Sequence, residues 1–274
     1  MFDFASRFVK DVESNLAKVL STKKVDVFGI EAENILEEGY AYATADGGKR
    51  IRPVCVYLGA IATGKDLSGK YDGLVRLATV VELIHSYSLV HDDLPSMDND
   101  DYRRGKLSTH KKYGEANGIL IGDGLLTKAM EIALSAPQDE AYIKACQKIA
   151  SGAMNMVTGQ ALDLAEGKKD FVAIYALKTA QLISVSLEAG ATYAGADVDA
   201  VKAVGEYGHH LGMAFQIADD LLDGADNSLV QAIGEQEAKI MLNDETAKAK
   251  NSAEKLQEAQ LLKDVADKLL KRKK

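Results

Sequence analysis

The sequence predicts an all-α protein, and three observations predict it. Only 3 of its 274 residues are Pro and none is Trp, so breakers are scarce among abundant Ala and Leu, strong helix formers. From Asp197, apolar or small residues recur at Val201, Val204, Gly208, Leu211, Phe215, Ala218 and Leu222. Those steps of three and four trace one face of a long helix. No stretch alternates apolar and polar residues convincingly enough to read as a strand.

Taken in order, helices are expected over 4–20, 28–44 and 49–62, then over Leu74–Val90, where apolar residues occupy more than one face. That pattern suits a helix in the middle of a bundle. Further helices are expected over 117–134, 139–165, 172–192, 197–222 and 229–271, punctuated by Gly64, Gly69, Gly105, Pro137, Gly167 and Gly195. The last is amphipathic and ends in Lys271, Arg272, Lys273 and Lys274, cations that suit the negative end of a helix dipole. No repeat, low-complexity block or linker interrupts the chain, so one domain, residues 1–274, arranged as a single large helical bundle is expected.

With 41 acidic and 33 basic residues the net charge is −8, which argues against a nucleic-acid partner held by non-specific electrostatics. The start, MFDFASRFVKDVESN, has early charges and no apolar core, so no signal peptide is expected. No apolar run approaches the ~20 residues of a membrane span; the richest, LATVVELIHSYSLV, is interrupted by Glu82 and His85. Cys55 and Cys146 match no metal or redox spacing and read as buried thiols of a reducing compartment. A cytoplasmic protein without a membrane span is the expectation.

The acidic excess clusters. HDDLPSMDNDDYRRG carries Asp92, Asp93, Asp98, Asp100 and Asp101 ahead of Arg103 and Arg104, and FQIADDLLD carries Asp219, Asp220 and Asp223. Each group closes an apolar predicted helix, where carboxylates meet the unfavourable end of the dipole and one another. Such concentration calls for a compensating cation. Hard oxygen donors without Cys or His point to Mg²⁺ or Ca²⁺. The first group lacks the mid-loop Gly and terminal Glu of an EF-hand, so Mg²⁺ bridging to substrate phosphates fits better. Asp219 and Asp223, four apart, share a helical face; Asp100 and Asp101 read as spacing and solvation. A third group, GGKRIRP, places Lys49 and Arg52 three apart at the expected start of a helix, where both could meet one anion. Its spacing is not that of a Walker A loop.

In order along the chain, GGKRIRP, ELIHSYSLVHDDLPSMDNDDYRRG, GEANGILIGDGLL, GQALDL, LKTA and FQIADDLLD resemble the trans-isoprenyl diphosphate synthase family, and within it the bacterial farnesyl diphosphate synthase (geranyltranstransferase) type. The resemblance spans roughly residues 47–223. It implies the isoprenoid synthase fold, an all-helical bundle around a central cavity, usually homodimeric. It also implies head-to-tail condensation of isopentenyl diphosphate with dimethylallyl or geranyl diphosphate, giving farnesyl diphosphate.

The same resemblance implies roles. Asp92, Asp93 and Asp98, with Asp219 and Asp223, would hold the family's three Mg²⁺ ions (Mn²⁺ being an alternative) across the allylic diphosphate, supported by Asp220. Arg103 and Lys178 would assist there. Lys49, Arg52, His85 and Arg104 would grip isopentenyl diphosphate. Gln216, Gln160 and Asp163 would line the cavity, and the Thr179 carbonyl would help stabilise the carbocation. Tyr87, five residues before Asp92, would form the cavity floor with Ser88 beside it and stop the tail at the farnesyl length.

Two departures stand out. The family's Gly-Lys pair and later Lys-Ser-Thr-Tyr-Pro-like segment should follow the second aspartate motif, but Asp223 runs into GADNSLVQAIGEQEA, with no Lys or Arg before Lys239. The span from Gly167 to Lys178 is also short. A lost charge-assisted contact is worth ~1.5–3 kcal/mol, one or two orders of magnitude in rate; the basic tail Lys271–Lys274 is a candidate substitute. Alternatives therefore stay open: a geranyl or geranylgeranyl diphosphate synthase, or a low-activity or non-catalytic synthase subunit. A terpene cyclase is opposed by Asp219–Asp223 and GGKRIRP.

Overall fold

Phe8, Val12, Leu16 and Leu20, each four residues after the last, are the buried stripe of the first helix, α1 (Ser6–Leu20), entered through a 3₁₀ turn at Asp3–Ala5. The computed structural model describes residues 2–45, 48–136, 139–223 and 228–270, the side chain of Asp223 excepted. Lys271–Lys274 lie outside the described residues.

The first correction falls at residues 24–33, where the expected helix from 28 is replaced by a hairpin. β1 (Lys24–Val27) pairs antiparallel with β2 (Ile30–Glu33), Val27 opposite Ile30. Phe28 and Gly29 turn it with φ of 54° and 80°, both positive as a two-residue I′ turn requires. Val25, Val27, Ile30 and Ala32 share one face, and Lys24, Asp26, Glu31 and Glu33 the other. The alternation is only four residues long per strand, too short to outweigh the helical pattern of the following α2 (Glu37–Ala45). Phe28 is fully exposed at the tip.

α3 (Ile51–Ala62) and α4 (Tyr71–Asp92) follow, then a second small hairpin, β3 (Tyr102–Arg103) with β4 (Lys106–Leu107), also absent from the sequence reading. It turns at Arg104 and Gly105, with φ of 53° and 79°. Next come α5 (Thr109–Tyr113), α6 (Glu115–Leu134) and α7 (Glu140–Leu164). α8 (Phe171–Ile174) runs through a π-helical turn, Tyr175–Ala180, into α9 (Gln181–Ala194), which Gly195 closes in the left-handed conformation. α10 (Val198–Asp223) is the long helix of the 197–222 pattern. The single helix expected over 229–271 is three: α11 (Leu229–Ile233), α12 (Glu235–Ala253) and α13 (Ala259–Leu270). Gly234, at φ 88°, separates the first two.

These elements gather into two compact units, Asp3–Pro53 with Val75–Pro137, and Val54–Leu74 with Gln138–Lys274. In the first, Phe8, Val12, Leu77, Val81, Ile121 and Leu125 are buried, and Asn15 Nδ2 donates to Thr79 Oγ1 at 2.8 Å. In the second, α9 is buried on nearly all sides and packs against α7 and α10. Two helices, Tyr71–Asp92 and Phe171–Ala194, are long and apolar enough to cross a membrane, which the sequence reading did not expect; half or more of the apolar stretch of each is buried within the fold. Cys55 is buried and Cys146 half-buried, and neither is disulfide-bonded.

Two glycines set the approach of α3 to α9. A Cβ on Gly190 would lie 1.9 Å from the Val56 carbonyl oxygen, and one on Gly59 would lie 2.0 Å from that of Leu187. Both obstacles are backbone, which cannot swing aside. Gly190→Ala should therefore lower stability by about 1–3 kcal/mol through overpacking, read as a reduced urea midpoint. An unchanged midpoint would show that the helices separate without cost.

Candidate active site

In the first unit, α4 delivers the leading aspartates at its C-terminus and the chain then folds back. The Asp98 N–H donates to the Asp92 carbonyl at 2.9 Å, while the Met97 and Asn99 amides both donate to the Leu94 carbonyl. Asn99 makes this turn at φ 54°, a conformation Asn tolerates better than most residues. The backbones of Asp92 and Asp98 are thus drawn together.

Asp93 faces elsewhere. It is buried, and Arg103 Nε donates to its two oxygens at 2.7 and 3.0 Å, with Nη2 adding a third contact. Burial pushes the Asp93 carboxyl up, and the Arg103 guanidinium opposes that push without cancelling it. The structure commits Asp93 to Arg103, a partner the motif reading did not assign. Asp100 and Asp101 are exposed; Asp101 pairs with Lys111 at 2.7 Å, and Asp100 lies 3.6 Å from Arg103 Nη2.

The basic group is arranged differently from the sequence expectation. α3 begins only at Ile51, so Lys49 lies before the helix and does not share a helical face with Arg52. Arg50 sits at φ 47° and is buried, donating to Glu82 at 2.6 Å and to the Thr44 carbonyl at 2.8 Å; it holds structure together. Arg52 Nη1 donates to His85 Nε2 at 3.1 Å. Burial, then the charges of Arg52, Arg104, Arg103 and Arg50, hold His85 well below its ordinary range. His85 is therefore neutral at pH 7, with Nε2 as acceptor and the proton on Nδ1. Arg104 lies against Gly48, where a Cβ would stand 2.9 Å from its Nη1. Burial pushes Arg104 down, Glu82 opposes, and Arg50 and Arg103 push the same way as burial. Cations clustered around a neutral imidazole are chemically suited to receiving a polyanion.

Tyr87 is buried on α4; burial, then the Asp92 charge, push its hydroxyl up. Its ring meets His91 edge-to-face at 5.7 Å. His91 Nε2 donates to the Ile119 carbonyl at 3.1 Å, beside Gly122, where a Cβ would come within 2.0 Å of that nitrogen. The Ser88 hydroxyl donates to the His85 carbonyl at 2.9 Å, so it is spent on its own helix.

In the second unit, Lys178 Nζ donates to Asp163 Oδ2 at 2.7 Å and Lys169 to Oδ1 at 3.3 Å. Burial would raise Asp163, but Lys178 and then Lys169 outweigh it and hold the carboxyl low. Thr179 Oγ1 donates to Gln216 Oε1 at 3.0 Å, and Gln216 Nε2 donates to Asp220 Oδ1 at 3.0 Å. Asp219 and Asp223 occupy i and i+4 near the end of α10. The buried amide atoms of Gln160 have no hydrogen-bond partner among the described residues. Such an orphan is costly unless a polar ligand meets it.

Among the described residues no three His, Cys, Asp or Glu side chains gather into a ready ion site. Mg²⁺ does not require one, because it takes one or two carboxylates and completes its shell with water and substrate phosphate. The all-carboxylate donor set fits that ion. Sequence reasoning missed Tyr175, whose hydroxyl donates to Asp220 Oδ2 and accepts from the Leu229 N–H. A π turn shifts the 3.6-residue period, so no spacing signal could have placed it.

Residues 33–269 match the polyprenyl synthetase family, and the fold is that of the isoprenoid synthases. The chain belongs to the polyprenyl synthetase family. Its relatives include the farnesyl diphosphate synthase of Geobacillus stearothermophilus, 41% identical over 223 residues, which cover 76% of this chain and 73% of that protein. An FPP/GFPP synthase from Zymomonas mobilis shares the fold with a TM-score of 0.85 at 30% identity, covering 97% of each chain. A geranyltransferase from Helicobacter pylori, solved with magnesium and isoprenyl diphosphate, aligns with a TM-score of 0.78 at 27% identity over 98% and 97% of the two chains.

Proposed function

We propose that this chain is a prenyltransferase condensing isopentenyl diphosphate head-to-tail with dimethylallyl and then geranyl diphosphate, giving farnesyl diphosphate. The observation that carries this reading is the Arg52–His85 contact with Arg104 seated on Gly48, a metal-independent anion receptor in the same unit as the paired Asp92 and Asp98. Carboxylates and cations in this combination suit a reaction that has one diphosphate to hold and another to expel. The family match crosses both compact units, which supports one catalytic domain over 1–274.

On this reading Arg52, Arg104 and Lys49 bind the isopentenyl diphosphate, and His85 orients Arg52 by accepting its hydrogen bond. Asp92 and Asp98, and Asp219 and Asp223, would hold Mg²⁺, while Asp93 anchors Arg103 so that its guanidinium keeps a fixed direction. Bound Mg²⁺, three ions as the family resemblance implies, would neutralise the departing allylic diphosphate. Thr179 and Gln216, joined to each other, present fixed dipoles to the developing allylic cation, and Lys178 adds charge on the allylic side. No dedicated protein base is needed, because the expelled diphosphate can take the final proton.

A homodimer is the assembly proposed. Met130 and Leu134 on α6, Met154 and Val157 on α7, and the apolar hairpin face at Val25, Val27 and Ile30 are all exposed, and faces of that kind are normally covered. The cytoplasm is the proposed location, since half or more of the apolar stretch of each long apolar helix is spent on core.

The test is incubation with Mg²⁺, dimethylallyl diphosphate and labelled isopentenyl diphosphate, followed by product sizing. Farnesyl diphosphate supports the reading; no condensation supports the non-catalytic subunit, which the cation-free stretch after Asp223 favours. Tyr87→Ala should remove the floor and lengthen the product. If its products remain at the farnesyl length, Tyr87 does not set the limit.

A further inference from the structure

The second aspartate group is held by a chain of hydrogen bonds that ends outside its own helix. Thr179 donates to Gln216, Gln216 to Asp220 Oδ1, and Tyr175 to Asp220 Oδ2. The Tyr175 oxygen accepts from the Leu229 amide at 2.9 Å. Tyr175, Asp220 and Leu229 are all buried, so these groups have little access to water as an alternative partner. Leu229 is the first residue of α11, after the N-cap Ser228, and the first amides of a helix have no acceptor within it. Tyr175 supplies one. It belongs to the π turn, a feature that re-aims side chains and recurs at functional sites. The hydroxyl thus ties three segments: the turn carrying Lys178 and Thr179, the end of α10 carrying Asp219 and Asp223, and the chain six residues beyond Asp223.

Taking the proposed function as its basis, we infer that Tyr175 is a positioning residue: by clasping Asp220 and the Leu229 amide together, it fixes the second aspartate group for diphosphate-bound Mg²⁺ and anchors the start of α11 behind it. This matters for a chain whose sequence after Asp223 lacks the cation its motifs call for. Without that cation, more of the hold on diphosphate falls to the aspartates and the Mg²⁺ they carry, and carboxylate pairs act through geometry. Asp220 lies between Asp219 and Asp223 on one helical turn. Fixing it fixes the rotation of that turn, and with it the directions of both proposed ligands.

Tyr175→Phe removes one oxygen and leaves the ring. In the wild-type protein the Leu229 amide should be protected from hydrogen exchange, although it opens a helix, and in Tyr175→Phe its exchange should rise at least tenfold. Inorganic diphosphate titrated calorimetrically in the presence of Mg²⁺ should bind at least tenfold more weakly to the variant, while circular dichroism at 25 °C stays that of wild type. An unprotected Leu229 amide in the wild type overturns the tether without any variant. Unchanged diphosphate affinity, with only a lower unfolding temperature, overturns the positioning role and leaves a core tyrosine. Should wild type itself neither bind Mg²⁺–diphosphate nor condense substrates, the proposed function fails. The exchange measurement on Leu229 would still decide the tether.

Discussion

Asp98→Ala should lower kcat for condensation at least a hundredfold while leaving the unfolding temperature within a degree or two of wild type. Asp98 is exposed, so the folded state gains little from it. Its tie to Asp92 is made by its backbone amide, which alanine keeps. The loss is therefore confined to what the carboxylate does for a ligand. Removing one well-placed electrostatic partner of a developing charge typically costs 10²–10³ in kcat, and a metal ligand that helps hold an expelled diphosphate acts in that way. Asp100→Ala and Asp101→Ala supply the comparison. Both are exposed acids of the same loop, and Asp101 is paired with Lys111, so their effects should stay within about threefold. Single-turnover condensation of labelled isopentenyl diphosphate with geranyl diphosphate, at saturating Mg²⁺, measures all three. A loss below tenfold in Asp98→Ala would remove Asp98 from the proposed metal site.

Much of this was legible in the sequence, for reasons that can be named. The periodicity from Val201 to Leu222 survived into α10 because a long helix averages over local exceptions. The aspartate motifs could be found because carboxylates at a helix C-terminus are conspicuous against the dipole. What escaped was backbone detail. The hairpin at 24–33 depends on Phe28 taking a positive φ that no side-chain pattern announces. Lys49 and Arg52 were placed on one helical face, but Arg50 between them adopts φ 47° and the helix starts after it. The three aspartates of the first motif looked equivalent. Only the fold separates Asp92 and Asp98, whose backbones meet, from Asp93, which turns inward to Arg103. Tyr175 was invisible for a related reason: a π turn and a contact across 45 residues leave no trace in local spacing.

The division of labour within that motif makes Arg103→Met the more drastic change for stability. The Asp93 side chain is 3% exposed and that of Arg103 33%, so methionine would leave a carboxylate buried without its countercharge. Breaking a buried pair from one side typically costs 3–5 kcal/mol. Partial access of water to the Arg103 position places the expectation near the lower end, about 3 kcal/mol at pH 7. The pH dependence has a definite sign. Asp93 is already raised above its ordinary 3.8 by burial, against the pull of Arg103. Without that pull it should rise further, so the folded variant binds a proton that the unfolded chain releases. Stability of the variant should then increase as pH falls through that raised value toward 3.8. Its deficit against wild type should shrink on acidification and change little below pH 3.8. Asp93→Leu combined with Arg103→Met should recover most of the loss, because a matched apolar pair leaves no charge behind. Urea unfolding of the single and double variants between pH 4 and 8 reads both effects. A deficit that grows on acidification would mean that Asp93 is not the group left stranded.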